Sequence, residues 1–409
     1  MGPPRHRFLS VLMLRVIVPV VAAFAAVAAT NIVVDPYDIT PIVTIPGVND
    51  SKPRQLDRAN LTKTRAIVRD RWDAVALGPS QIERSIDPDN PALEDHGIHL
   101  YNAGLSGEAP AEEAILLRRA AAPGTLKFAI VGLSFYLYMP RTKDPGKPGP
   151  SRLEPAGTYE AELEEDAALA VSPSQFAASI ETIVNSFKRR RSLQHLKNGL
   201  LNVEPDFVPP DHRAAFDQAD DAYLNLSETY RAILRAEPAP GRARFDHAAL
   251  RDMLATARRH GIELYFFVPP DHARHCETRR LVGVEPLFRQ WLREVAEVLA
   301  AEAGPAGRRF ALWDFSGYNG VTTETVPAAP GRMIWYNDSV HFTYRAGRAA
   351  TDRMLGFADR ELDGIDDFGE PITVESMEAH FARQDQTRAR VLSHHPELVA
   401  DVERLFRRP

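Results

Sequence analysis

Cysteine is nearly absent. Cys276 stands alone among 409 residues, so no intramolecular disulfide frames the chain, and cysteine usage leaves its compartment open. Neither sign of charge dominates: 49 lysines and arginines face 55 aspartates and glutamates, a net charge of −6. No long basic stripe interrupts that balance, which argues against a nucleic-acid binder. Internal repeats are lacking. With 44% hydrophobic and 25% charged residues, the composition excludes disorder, collagen-like repeats and a polytopic membrane protein. What the chain has in excess is proline, 32 residues that cluster outside the segments read below as strands. Its length fits two or three domains, or one α/β domain carrying a large insertion.

One long apolar run is present, at Val16–Val34, nineteen residues without a charge. At about 1.5 Å per residue this approaches the hydrocarbon thickness of a bilayer. Arg5, Arg7 and Arg15 precede it, and Asp35 and Asp38 follow. The positive-inside bias then leaves a cytoplasmic tail (1–15), a transmembrane anchor (16–34) and the bulk of the chain in the periplasm or outside the cell. Ala26-Val27-Ala28 resembles a signal-peptide cleavage site, and a buried core helix is another reading of the run. The run continues past the cleavage site, so an uncleaved single-pass anchor is the reading taken. A juxtamembrane linker (35–70) follows.

Five short apolar runs have strand length and a turn-forming residue after them: Asp73–Leu77, His99–Asn102, Lys127–Leu133, Glu263–Val268 and Phe310–Phe315. Helical periodicity fills Ala111–Ala121, His247–His260 and Glu285–Ala303. Strands alternating with helices predict a parallel sheet covered on both faces, an α/β domain over 71–360. Between the third and fourth strands lies an insertion, 139–245, opening with the loop PRTKDPGKPGPSRLEP and continuing with helices over Ser174–Leu193 and His212–Leu234. An insertion of that size reads as a cap or substrate-binding subdomain. Its cluster Lys188-Arg189-Arg190-Arg191 reads as a solvated helix C-terminus, where cations are favoured, in preference to a site for glycan phosphate or lipid headgroups. A helical extension, 361–409, closes the chain with helices at Val374–Arg388 and Pro396–Arg407.

In an open parallel sheet, ligands bind beyond the carboxyl ends of the strands. The residues found there are Gly78-Pro79-Ser80-Gln81 after the first strand, Asn102-Ala103-Gly104-Leu105-Ser106-Gly107 at the second and Gly132-Leu133-Ser134 at the third. Asp338-Ser339-Val340-His341 follows the fifth. This set suits acyl transfer. A serine hydroxyl needs a base, a carboxylate fixes the imidazole tautomer, and glycine lets backbone N–H groups approach an oxyanion. Ser80 is the candidate nucleophile, His341 the base and Asp338 the orienting carboxylate; Ser80 and Gly107 are candidate oxyanion donors. Taken singly, each motif reads more readily as a turn or a cap. The weight rests on their order and shared edge.

The blocks GPSQ, NAGLSG and DSVH, in this order and spacing, resemble those of the SGNH/GDSL hydrolase superfamily. That resemblance implies a three-layer α/β/α, flavodoxin-like domain, with Gly107 at the oxyanion position of the second block. The third block departs from the family: GLSF places Ser134 where an asparagine is usual, a shorter oxyanion donor, and Pro79 replaces the usual aspartate of the first block. With an N-terminal anchor, the chain resembles membrane-anchored envelope proteins that O-acetylate polysaccharides, and those of the DltD type. The alginate members place the Asp-His pair before the serine, whereas here it follows. The resemblance implies a serine esterase or O-acyltransferase acting on an acylated envelope glycan through an acyl-serine. It needs no metal or organic cofactor, and a membrane-bound acyltransferase would be its partner. The contrasting expectation is a non-catalytic glycan-binding or assembly protein on a degenerate SGNH fold.

Other polar clusters carry less. Asp271, His272, His275 and Cys276 could suit zinc, but their spacing matches no finger, so a loop at the sheet edge is preferred, with His272 contacting substrate. Trp335 and Tyr336 could stack on a sugar ring, although aromatics beside a core are commoner.

Overall fold

The computed structural model describes residues 13–139, 159–190, 194–202, 209–226, 229, 232, 235, 245–303 and 310–407. Arg5, Arg7, the whole PRTKDPGKPGPSRLEP loop, Arg191 and Leu193 therefore lie outside the described residues.

In chain order, the elements that matter here begin with α1 (Met13–Val34), β1 (Ala74–Leu77), α2 (Ser80–Ser85), β2 (Leu100–Asn102), α3 (Pro110–Ala121) and β3 (Phe128–Gly132). The helices α4 (Pro173–Phe187), α5 (His212–Leu224) and α6 (Ala248–His260) lead to β4 (Glu263–Val268). Then come α7 (Ala273–Leu281), α8 (Glu285–Glu302), β5 (Ala311–Asp314), α9 (Tyr344–Leu355), β6 (Glu370–Pro371), α10 (Met377–His394) and α11 (Glu397–Phe406).

The chain divides into two compact units, Met1–Ala66 with Pro148–Leu196, and Ile67–Lys147 with Lys197–Pro409. The insertion read between β3 and β4 is thus shared: 148–196 goes with the apolar N-terminal helix and 197–245 with the sheet.

The second unit holds a six-stranded sheet in the order β2-β1-β3-β4-β5-β6, parallel except for β6. The five parallel strands lie within one residue of the apolar runs in the sequence. Ala74, Val75, Ala76 and Leu77 of β1 are fully buried, as expected for a central strand covered on both faces, so the run needs no polar alternation. One face of the sheet, through Ala74, Ala76, Phe128, Ile130 and Phe267, packs with Ile82 of α2, with Ile86 just after it, and with Ala346, Ala349 and Ala350 of α9. β6 had no signature in the sequence. Two residues are too few for an apolar period, and they pair with β5 through Trp313↔Pro371 and Asp314↔Glu370.

A buried imidazole ties this edge to the C-terminal extension. His380 of α10 is 1% exposed, with Nε2 2.8 Å from Asp314 Oδ2 and Nδ1 2.7 Å from Glu370 Oε1. Burial by itself pushes the imidazole down, but the two carboxylates overcome it and raise His380 to about 9. The His380 contribution to stability is therefore full below the unfolded value of about 6.5 and lost as pH rises through about 9. Asp314 and Glu370 are held below the carboxylate range, so their contribution is lost at the acid end. In urea titrations, wild type should exceed His380→Asn by on the order of 3 kcal/mol at pH 6, and the difference should shrink as pH rises from about 6.5 to about 9. A pH-independent difference would contradict an imidazolium held between two carboxylates.

In the first unit, α1 is long and apolar enough to cross a membrane, and of its residues Asn31 and Val34 alone are buried. Its C-terminal end is capped from within the same unit. Lys52 Nζ donates to Val34 O at 2.8 Å and to Asp35 O at 2.6 Å, placing a cation on carbonyls that the helix leaves unpaired.

Candidate functional site

The order reversal between β1 and β3 is the topological switch point of the sheet, where a crevice opens at the strand carboxyl ends. Ser80 begins α2 there. Gly78 sits at φ 142°, in a region that disfavours side chains, and a Cβ on it would lie 2.4 Å from Ile82 Cγ1. A Cβ on Gly132, at the end of β3, would lie 2.3 Å from Ile82 Cδ1, and one on Gly104 would lie 2.6 Å from Glu83 N. Glycine at three strand ends thus lets α2 sit directly on the sheet edge. The NAGLSG loop is sewn to the same place: Ala103 N donates to Ala76 O at 2.8 Å, and Leu105 N to Gly78 O at 3.0 Å. Asn102 is buried and donates to Ile82 O and Ile86 O, closing the far end of α2.

The DSVH segment is the tip of a short antiparallel turn. Tyr336 pairs with Phe342, while Asn337 N donates to His341 O and Thr343 N to Trp335 O. Within it, Asp338 Oδ1 accepts from Val340 N at 2.9 Å and His341 N at 2.8 Å. Its other oxygen, Oδ2, lies 2.8 Å from His341 Nδ1. A carboxylate accepts only, so Nδ1 carries the proton and Nε2 is left as an acceptor. Ser80 Oγ lies 2.9 Å from that Nε2. Burial disfavours the Asp338 carboxylate, but the imidazole and the two backbone donors outweigh it and hold the carboxyl below its ordinary range. Ser80, His341 and Asp338 are therefore brought together in a hydrogen-bonded chain, with Ser80 half-buried and reachable from solvent.

Two further contacts fix this arrangement, and neither has a local signal in the chain. Gln81 Nε2 donates to Val340 O and to Asp271 Oδ1, both at 2.8 Å, bridging α2, the DSVH turn and the segment after β4. Asp271 is raised above the carboxylate range, chiefly by burial. Ser339 Oγ donates at 2.8 Å to Asp220 Oδ1 of α5, whose other oxygen lies 2.7 Å from Arg274 Nε. Asp220 comes from the second half of the insertion, so no local spacing could have tied it to the DSVH block.

Beside Gln81 lies a cavity lined by Ser134, Tyr136, Asp271, His275 and Arg279, among others. Ser134 stands just before the short helix Phe135–Tyr138. His275 Nε2 is buried on this wall without a protein partner among the described residues, while Nδ1 faces Asp220 at 3.3 Å. Gly107 lies on an exposed turn at φ 73°. As the first residue of α2, Ser80 has an N–H without an acceptor in its own helix.

The remaining sequence candidates are buried elsewhere in this unit. His272 is fully buried: Nε2 donates to Glu324 O at 2.7 Å and Nδ1 accepts from Arg274 N, leaving no nitrogen for a substrate. Burial pushes this imidazole down to about 4. Trp335 and Tyr336 belong to the core, and Tyr336 Oη donates to Pro270 O at 2.8 Å. Cys276 is buried, with its thiol pushed up to about 12 by burial. Among the described residues, no group of three or more His, Cys, Asp or Glu side chains surrounds a common metal position. No known protein family and no curated protein matches this chain by sequence.

Proposed function

We propose that this chain is a membrane-anchored serine esterase or O-acyltransferase of the SGNH type, acting on acylated cell-envelope polysaccharide outside the cytoplasm. The observation that carries the reading is the Ser80–His341–Asp338 hydrogen-bond chain at a switch point. The strand order β2-β1-β3-β4-β5 supports the flavodoxin-like form of the fold. Arg15 in the first turn of α1, ahead of its uncharged run, and Asp35 after the helix support the outward orientation of the bulk of the chain.

In this reading Ser80 Oγ attacks the ester carbonyl carbon while its proton passes to His341 Nε2. Asp338 stabilises the imidazolium so formed. The oxyanion is received by the N–H groups of Ser80 and Gly107, with the Ser134 hydroxyl replacing the longer amide usual in the family. Collapse breaks the bond to the leaving sugar oxygen, which takes the proton from Nε2 and leaves acyl-Ser80. Water or a second sugar hydroxyl, deprotonated by His341, then attacks the acyl carbon and frees Ser80. Hydrolysis and transfer differ only in that acceptor.

The test is covalent labelling of the full chain in detergent or nanodiscs with a fluorophosphonate. The expected result is one adduct on the peptide holding Ser80, absent from Ser80→Ala and suppressed by prior incubation with an acetylated glycan. A folded protein that takes no label on Ser80 would overturn the reading in favour of a binding or assembly role.

A further inference from the structure

The helix α4 is inside out. At 100° per residue, Pro173, Phe176, Ala177, Ile180, Ile183, Val184 and Phe187 fall on one face. This apolar stripe is turned away from the protein: Ile180 is 45% exposed, Val184 41% and Phe187 80%. The residues buried against the rest of the unit are Gln175, Ala178, Ser179, Thr182 and Ser186, small or polar throughout. Water is the wrong solvent for such a helix, because the hydrophobic effect would favour the opposite rotation.

The first unit also fixes where this helix lies along α1. Asn31, in the last turn of α1, accepts from Ser179 Oγ at 3.0 Å and donates to Ala170 O at 2.9 Å and Ser172 O at 3.2 Å. The other end of α4 is held nearby. Ser51 N donates to Ser186 Oγ at 3.0 Å and Ser51 Oγ to Arg190 O at 2.8 Å, next to the Lys52 that caps Val34. Both ends of α4 are thus pinned to the level where α1 finishes its apolar run. Lys188, Arg189 and Arg190 follow its last turn, all exposed.

We infer that α4 is an interfacial membrane helix, its Ile180–Val184–Phe187 face in the bilayer boundary and Lys188-Arg189-Arg190 on anionic headgroups. This rests on reading α1 as the membrane span. The occupant follows from continuity with that span and from charge. A face pinned to the end of a transmembrane helix meets the headgroup and acyl boundary, where amphipathic helices sink by about 5–10 Å. The basic residues beside it match anionic headgroups, which attract interfacial helices rich in Lys and Arg. Asn31, a polar residue near the end of the span, is satisfied by α4 and its preceding turn, which explains why the inner face of α4 is polar. The basic run is therefore more than a solvated helix end.

The experiment uses the full chain in a Cys276→Ala background, reconstituted in vesicles of phosphatidylcholine and phosphatidylglycerol. An environment-sensitive fluorophore is placed at Phe187→Cys or, in a separate protein, at Val21→Cys within α1. Both probes are expected to emit in the blue and to lose fluorescence when the lipids carry brominated acyl chains. Changing Lys188, Arg189 and Arg190 to glutamine should return the Phe187 probe, but not the Val21 probe, towards water-like emission. A Val21 probe quenched beside a water-like Phe187 probe would overturn the inference and leave the anchor standing. Neither probe quenched would overturn the anchor reading, and this inference with it. Blue emission at Phe187 that bromination does not quench would mean a protein occupant, and would also overturn it.

Discussion

Ser80→Ala and His341→Ala are each expected to lower turnover of p-nitrophenyl acetate by on the order of 10⁴-fold to 10⁶-fold, to a floor set by binding and backbone donors. The two changes together should cost no more than either alone, because a nucleophile and its base act as one unit. Asp338→Asn probes the third member differently. The amide leaves the turn sterically unchanged but can donate, which favours the imidazole tautomer with a proton on Nε2 and removes the acceptor for Ser80. A loss on the order of 10⁴-fold in kcat follows. Because Asp338 Oδ1 also holds Val340 N and His341 N, thermal denaturation of Asp338→Asn must accompany the rate. Should Ser80→Ala retain wild-type turnover in a folded sample, the acyl-serine mechanism would be abandoned.

Gly347→Ala is expected to have the largest structural effect of any single methyl group near the site. A Cβ on Gly347 would lie 1.8 Å from Ser85 O and 2.7 Å from its carbonyl carbon. The obstacle is backbone, so no rotamer change relieves it. α9 and α2 would have to part, and these elements follow His341 and begin with Ser80 respectively. Overpacking of this kind costs about 1–3 kcal/mol, and more where backbone must move. The bond from Ser85 Oγ to Phe342 O, which ties the end of α2 to the strand after His341, would be stretched by the same displacement. Turnover should fall together with the denaturation midpoint, whereas Ala349→Gly, on the same helix, should lower stability with a smaller effect on rate. An active Gly347→Ala protein of wild-type stability would show that the contact between α2 and α9 is slack.

Much of the second unit was legible in the sequence because its signals are local. Buried parallel strands read as unbroken apolar runs, and glycine and proline punctuate their ends, so the residues beyond β1, β2 and β3 could be enumerated. Asp338 and His341 sit three apart and close their own turn, so their pairing too was written locally. β6 was invisible since two residues have no period. His272, Trp335 and Tyr336 sit beside chemical-looking sequence, yet burial and satisfied hydrogen bonds give them to the core.

The sequence by itself determined the apolar helix at the N-terminus, the α/β alternation, and the order in which Ser80, Gly107, Ser134, Asp338 and His341 are presented. Each of these depends on neighbours in the chain. Only the tertiary structure decided that Ser80 and His341 stand 2.9 Å apart, since that distance depends on strand order and on glycine contacts such as Gly347 on Ser85. It also decided that Asp220 braces the DSVH turn from the distant insertion, and that the apolar face of α4 points outward. Helical periodicity marks an apolar stripe, but which way the stripe faces is fixed by what the opposite face can hydrogen-bond. Here that partner is Asn31, at the end of another helix.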